Sequence, residues 1–288
     1  MRHLPARASL LARVAVLGLL TAALVLVTTG ASGERAGGTI RGELDGQEVR
    51  VSLPTGDAEP RGLAIYFHGQ GGDVNDRVDG AWLGSLLRSG WAVASSQFHD
   101  ESWGNEASTL DTIALTEWAE EKAGVPASLW VSGSMGGAVS LNAMLHGAEP
   151  PKCWYGVKPA ISLTKMDRVK GARAFIAEAY GGPVPSDRNP VRNIDDLPDD
   201  IRYRVVASPE DELVGLRDNG GALISTLTSR GYDITYHLVV GSHDDPSHFD
   251  PVDLAQFGDY CLGDGESPRS DTPPPGSTEQ VETTEQAG

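Results

Sequence analysis

The stretch WVSGSMGGAV, Trp130–Val139, decides the fold. Its beginning completes SLWVS, Ser128–Ser132, a short apolar run that reads as a buried strand. Directly beyond it, Ala138, Leu141 and Leu145 recur at helical spacing. No loop separates the two patterns, so the chain turns from strand to helix at Ser134. Such an elbow brings together the residues two before and two after its tip, and both must be small. Here they are Ser132 and Gly136, with Gly137 added for close packing. A turn serine would explain one of these residues but not the set. A serine lifted on a tight elbow is a candidate nucleophile. The usual pattern is G-x-S-x-G, and S-G-S-M-G departs from it by one hydroxymethyl group. Ser132 is the local competitor, but it lies on the strand side of the elbow and faces away from the tip.

Outward from the elbow, strands and helices alternate with short connections. The segment TIRGELDGQEVRVSLP turns at Asp45-Gly46 and reads as a hairpin. RGLAIYF, residues 61–67, is apolar throughout, as expected of a strand covered on both faces. GAWLGSLLRSG predicts a short helix closed by Gly90, and WAVASS the next strand. Leu110, Ile113, Ala114 and Trp118 predict a helix with those residues on its inner face, and Glu117, Glu120, Glu121 and Lys122 outside. Residues 150–200 break the rhythm. They hold one strand candidate in CWYGVKPAISL, a helix over Gly171–Tyr180, and a run rich in turn formers, and they read as an irregular insertion or lid. Strand RYRVVAS, a helix around Ala222–Leu227, strand ITYHLVV and a last helix near Pro251–Tyr260 follow. The order implies an α/β fold with a mostly parallel sheet flanked by helices. From Gly263 to Gly288 the chain lacks apolar content and reads as a disordered acidic tail.

A serine hydroxyl needs a base, and the base needs an orienting acid. Candidates stand just past the strand ends. RYRVVAS leads into PEDELV, which makes Asp211 the favoured acid, with Glu210 and Glu212 as adjacent alternatives. ITYHLVV leads into GSHDDPSHF, which makes His243 the favoured base and His248 the second choice. His237, His146 and His99 read as structural, although His99 is also placed to line a pocket. A metal site at His243, Asp244, Asp245 and His248 is the competing use of this cluster, but its spacing fits no ligand signature. Upstream, the strand ending at Phe67 opens into HGQGGD. Glycines there let backbone N–H groups point into the cleft, where an oxyanion would need two donors. Gln70, with Gly71 close behind, is the expected first donor, and Met135, the residue after Ser134, the second. His68 is expected to brace the loop. HGQGGD matches neither nucleotide-binding glycine pattern.

Composition narrows the setting. With 288 residues, 40% of them apolar, the chain can bury a sizeable core. Arg2, Arg7 and Arg13 precede the uncharged run Val14–Val27 and then small residues, the order of a secretory signal over residues 1–33. Cleavage would fall after Ala31 or Gly33. An uncleaved anchor is the alternative, but an uncharged run of fourteen residues is short of the ~20 that a bilayer span needs. Removing three arginines and no acid takes the formal charge from −17 to −20. That balance disfavours nucleic acid and stable membrane association as partners. Two cysteines, Cys153 and Cys261, form the natural disulfide of an exported chain.

Taken together, SGSMGG, HGQGG, PEDELV and GSHDD, in the order nucleophile, acid, histidine, resemble the α/β-hydrolase superfamily over roughly residues 38–262. Within it the chain is most similar to secreted bacterial serine esterases and prolyl-oligopeptidase-type hydrolases. The resemblance implies Ser134 as nucleophile, His243 as base and Asp211 as its orienter, with Gln70 and Met135 as oxyanion donors. It implies ester hydrolysis through an acyl-enzyme, with no cofactor or metal, on a small-molecule or polymeric ester outside the cell. A peptidase or amidase of the same fold, and a non-catalytic binding protein on that scaffold, are the alternatives. Trp103 and Trp154 are expected either to form an aromatic wall of the substrate pocket or to pack in the core.

Overall fold

The computed structural model describes residues 37–56 and 58–271. The signal segment expected over residues 1–33 lies outside the described residues. Eight strands form one sheet: β1 (Thr39–Leu44), β2 (Gln47–Ser52), β3 (Leu63–Phe67), β4 (Ala92–Ser96), β5 (Ala127–Gly133), β6 (Cys153–Val157), β7 (Arg202–Ala207) and β8 (Ile234–Leu238). Their spatial order is β1-β2-β4-β3-β5-β6-β7-β8. The β1–β2 and β2–β4 pairs are antiparallel and every other pair is parallel. Asp45 and Gly46 close the β1–β2 hairpin with φ of 48° and 81°. Two consecutive positive φ values match the right-handed twist of the strands they join, and Asp-Gly adopts them at low cost.

Among the described residues, six helices connect and cover the sheet: α1 (Leu83–Arg88), α2 (Glu106–Ala123), α3 (Gly136–Leu145), α4 (Ala172–Ala179), α5 (Gly220–Ser229) and α6 (Pro251–Leu262). The strands alternate their side chains between two cores. On β3, Leu63, Ile65 and Phe67 pack with Leu115, Leu141 and Leu223 of α2, α3 and α5. Ala64 and Tyr66 pack on the other face with Leu86 of α1 and Leu254 and Phe257 of α6. Both faces are apolar, so the strand reads as one continuous hydrophobic run instead of an alternation.

Helix α2 forms where expected, and Ile113 and Trp118 pack partly buried against the core, but the fully buried face is formed by other residues. Leu110 is 60% exposed, whereas Ser108, Thr112, Leu115, Ala119 and Ala123 are buried. The hydroxyls of Thr112 and Thr116 donate to the carbonyls of Ser108 and Thr112, each at 2.8 Å. Satisfied within the helix, these small polar residues can face the sheet, and hydropathy alone could not mark them.

The irregular region is also narrower than expected. Its first part is β6, a fully buried strand near the middle of the sheet. Beyond β6, short 3-10 turns and α4 pack onto the start of α2 and onto α3. Asn142 Nδ2 donates to Arg188 O (2.8 Å) and Asn105 Nδ2 to Ala179 O (3.0 Å). Residues 264–271, the start of the stretch expected to lack order, run back to the sheet. Asp271 N donates to Tyr236 O (3.2 Å), and its carboxylate accepts from Leu238 N (2.6 Å) on edge strand β8. The rest of that stretch, 272–288, lies outside the described residues.

Cys153 at the start of β6 is disulfide-bonded to Cys261 in α6, 108 positions later, with Cα atoms 5.8 Å apart. Cross-linking so long a loop restricts the unfolded chain. Replacing both cysteines with serine is expected to lower the unfolding free energy by about 2–4 kcal/mol, measured as a reduced urea midpoint.

Candidate active site

The strand order puts the working groups together. From β3 the chain moves to β4 on one side, then returns through α2 to β5 on the other. At this switch point the loops following β3 and β5 diverge and leave a crevice at the carboxyl ends of the strands. Phe67 pairs with Ser132, so the HGQGG loop and the elbow leave the sheet side by side.

Ser134 occupies the elbow with φ of 50°, a left-handed conformation that non-glycine residues seldom adopt. Three backbone hydrogen bonds hold it there: Ser134 N donates to Val157 O (3.0 Å), and Ser134 O accepts from Gly137 N (2.9 Å) and Ala160 N (2.8 Å). A Cβ at Gly136 would lie 2.2 Å from Phe67 O and 2.7 Å from Phe67 C. A Cβ at Gly137 would lie 2.7 Å from Pro159 Cβ. The crowding at Gly136 comes from the backbone of β3 and leaves no flexible neighbour to yield. Gly136→Ala is therefore expected to destabilise the protein by about 1–3 kcal/mol or more, read as a lower melting temperature. Ser132 is fully buried and, among the described residues, its hydroxyl has no hydrogen-bond partner.

The structure brings Ser134, His243 and Asp211 together. Ser134 Oγ lies 3.0 Å from His243 Nε2, and His243 Nδ1 lies 2.7 Å from Asp211 Oδ2. All three are buried, with Ser134 9% exposed at the floor of the cleft. The second oxygen, Asp211 Oδ1, accepts from Leu213 N and Val214 N, each at 2.9 Å. Burial pushes the Asp211 carboxyl up, but the hydrogen bonds from His243 and from the Val214 and Leu213 amides outweigh it. They hold the pKa below the ordinary carboxylate value.

Among the described residues, neither neighbouring acid hydrogen-bonds to His243 through its carboxylate. Glu210 accepts from Gly241 N (3.0 Å), and Glu212 is engaged through its main-chain oxygen by Arg168 (3.3 Å). His248 is fully buried, and its Nδ1 faces Asp245 O at 3.2 Å, whereas the Ser134 hydroxyl meets His243 instead. Burial lowers its pKa. Among the described residues, no three His, Cys, Asp or Glu side chains converge as metal ligands would.

The HGQGG loop lies against the elbow: a Cβ at Gly69 would stand 3.4 Å from Ser134 Cβ. Among the described residues, the N–H groups of Gln70 and Met135 donate no backbone or side-chain hydrogen bond, whereas Gly71 N donates to Glu101 Oε1 (3.2 Å). This separates Gln70 from Gly71 as the free donor. The Gln70 side chain reaches across the cleft, donating to Lys170 O at 2.8 Å. Both ring nitrogens of His68 face carbonyl oxygens, of Gly69 and Gln97, each at 2.9 Å. His99 pairs with Asp111 (2.6 Å) at the start of α2 and does not line the cleft.

Trp103 and Trp154 are corrected from pocket wall to core. Both are fully buried among the residues between the sheet and α2, α3 and α5. Trp154 stands on β6 and donates from Nε1 to Ser140 Oγ (2.9 Å) on α3. Parallel strands covered on both faces draw large aromatics inward, and composition does not tell that use from a pocket wall.

The cleft itself encloses ≈ 330 Å³, and Tyr66 and Phe249 are among its lining residues. Sequence reading passed over Lys158, Arg77 and Phe249. Lys158 did carry a signal, because it directly follows β6, as Asp211 and His243 follow β7 and β8. Its ammonium is 6% exposed and donates to His243 O at 2.5 Å. Burial lowers its pKa, and Asp244 opposes the shift.

No protein-family model matches the chain, and no curated protein matches it in sequence. Solved structures do. Est1E from Butyrivibrio proteoclasticus is 15% identical, with a TM-score of 0.60, over 78% of this chain and 99% of that one. A hyperthermophilic esterase from the archaeon Pyrobaculum calidifontis is 20% identical, with a TM-score of 0.62, over 81% and 87%. A puromycin-hydrolyzing peptidase from Mycobacterium tuberculosis is 16% identical, with a TM-score of 0.64, over 82% of this chain and 42% of that one. At such identities the likeness establishes the fold, which is that of the α/β hydrolases.

Proposed function

We propose that this chain is a secreted serine hydrolase that cleaves carboxylic esters. One observation carries the reading: the unbroken hydrogen-bonded chain Ser134–His243–Asp211 at the carboxyl end of a parallel sheet. In the proposed reaction His243 Nε2 takes the Ser134 proton as Oγ attacks the ester carbonyl. Charge develops on the carbonyl oxygen, within reach of the Gln70 and Met135 N–H groups. His243 then returns the proton to the leaving alcohol, and the acyl group stays on Ser134. Water, deprotonated by the same imidazole, attacks the acyl-enzyme and frees the acid. Asp211 keeps Nδ1 protonated and stabilises the imidazolium at each transfer. The reaction draws on no cofactor.

Residues 38–262 form the proposed catalytic domain, and residues 1–33 the signal that exports it. N-terminal sequencing of protein recovered from culture medium checks the export. A fluorophosphonate probe checks the chemistry: rapid modification at Ser134 is the expected result, and inert, folded protein would instead indicate a binding protein on the scaffold. An amidase is the second reading, favoured by the likeness to the puromycin-hydrolyzing peptidase. A panel of p-nitrophenyl esters run beside aminoacyl anilides decides between them, and faster anilide turnover would replace ester by amide.

A further inference from the structure

The chain carries 40 acidic against 23 basic side chains, yet around the cleft the balance reverses. Arg77, Lys158 and Lys170 line it, against Asp76 and Asp244. Two of the cations share one aromatic ring. The Arg77 guanidinium lies 3.7 Å from the centroid of Phe249, and Lys158 Nζ lies 5.1 Å from it. Each cation has one acidic neighbour, at the long end of ion-pair distance. Arg77 Nε is 4.0 Å from Asp76 Oδ1, while the other Asp76 oxygen accepts from Tyr66 Oη at 2.9 Å. Lys158 Nζ is 3.5 Å from Asp244 Oδ1, on a side chain 87% exposed to water. Among the described residues, the Arg77 side chain donates no hydrogen bond, although it is 42% exposed beside the cleft.

A guanidinium held against a ring, donating no hydrogen bond among the described residues, is available to grip a carboxylate. The Lys158 ammonium at the same ring adds a second positive charge.

The geometry points to a carboxylate-binding subsite at Arg77 and Lys158, so that the preferred substrates are esters carrying a second, ionised carboxyl group. This deepens the hydrolase reading and rests on it. The carboxylate anchors the far end of the substrate while the ester carbonyl reaches Ser134. Neutral esters of the same length lack that anchor and are turned over less efficiently.

Two matched pairs test this. Monomethyl glutarate and methyl pentanoate differ only in a carboxylate or a methyl at the end of the acyl chain. 4-Acetoxybutanoate and butyl acetate differ likewise on the alcohol side. Alcohol or acid release is followed with purified protein, and labelling of Ser134 by an uncharged fluorophosphonate is measured alongside. A kcat/KM at least about 10-fold higher for the charged member of one pair is expected, a preference that falls towards one in Arg77→Gln. Free glutarate is expected to slow the labelling of Ser134 in the parent protein but not in Arg77→Gln. Labelled, active protein with no charge preference in either pair, or a preference unchanged by Arg77→Gln, overturns the subsite and leaves the hydrolase reading standing. Protein that neither labels nor turns over any of the four esters overturns that reading and the subsite together.

Discussion

Ser134→Ala is expected to lower kcat for ester hydrolysis by roughly 10⁴- to 10⁶-fold while the protein stays folded. The size of the loss follows from what the side chain does in the proposed reaction. Without Oγ no acyl-enzyme forms, and His243 can activate only water from a geometry built for a hydroxyl at 3.0 Å. Residual turnover would come from the oxyanion donors and from substrate binding. Folding should be nearly unaffected. The substitution removes one hydrogen bond at a site 9% exposed, and the backbone contacts to Val157, Gly137 and Ala160 remain. The two measurements are initial rates with a short-chain ester and a thermal melt. Hydrolysis near the parent rate in homogeneous Ser134→Ala protein would reject Ser134 as the nucleophile.

Asp211→Asn should cost about 10⁴-fold in kcat near neutral pH for a different reason. An asparagine carbonyl can still accept from the Leu213 and Val214 amides, so its NH2 group is left facing His243 Nδ1. The imidazole would answer by placing its own proton on Nε2, where it can no longer accept one from Ser134. The same substitution carries a stability signature. Asp211 has a folded pKa below its unfolded value of about 3.9, so ionisation stabilises the fold above that pH. The stabilisation is lost as the pH falls through the folded value. Urea midpoints collected from neutral pH down into the acid range are expected to fall less steeply for Asp211→Asn than for the parent. Identical acid profiles would show that the carboxylate is not held as the hydrogen bonds imply, and a kcat within tenfold of the parent would remove Asp211 from the reaction.

Much of the fold could be read along the chain, because its determinants are local. The Asp45-Gly46 hairpin, the apolar run ending at Phe67 and the small residues around Ser134 each follow from backbone geometry over a few positions. Serine, acid and histidine candidates were legible for a related reason. In a parallel sheet the end of each strand is also one wall of the same crevice, so position along the sequence stands in for position in space. Where side-chain identity was the only guide, the reading failed or stayed open. Leu110 was expected inside and lies outside, since hydroxyls satisfied within α2 allow Thr112 to take the buried face. Trp103 and Trp154 went to the core, since burial rewards large rings wherever a face is covered.

What local pattern settled, then, is the alternation of strands and helices and the elbow that lifts Ser134. Those features depend on periodicity, on φ and on the space a Cβ needs against an adjacent backbone. Tertiary structure separated Asp211, the favoured acid, from its two neighbours, because only its carboxylate meets both the imidazole and two turn amides. It also alone assembled Arg77, Lys158 and Phe249 beside Ser134. These residues come from three separate loops, and nothing short of the folded sheet brings their charges to one ring.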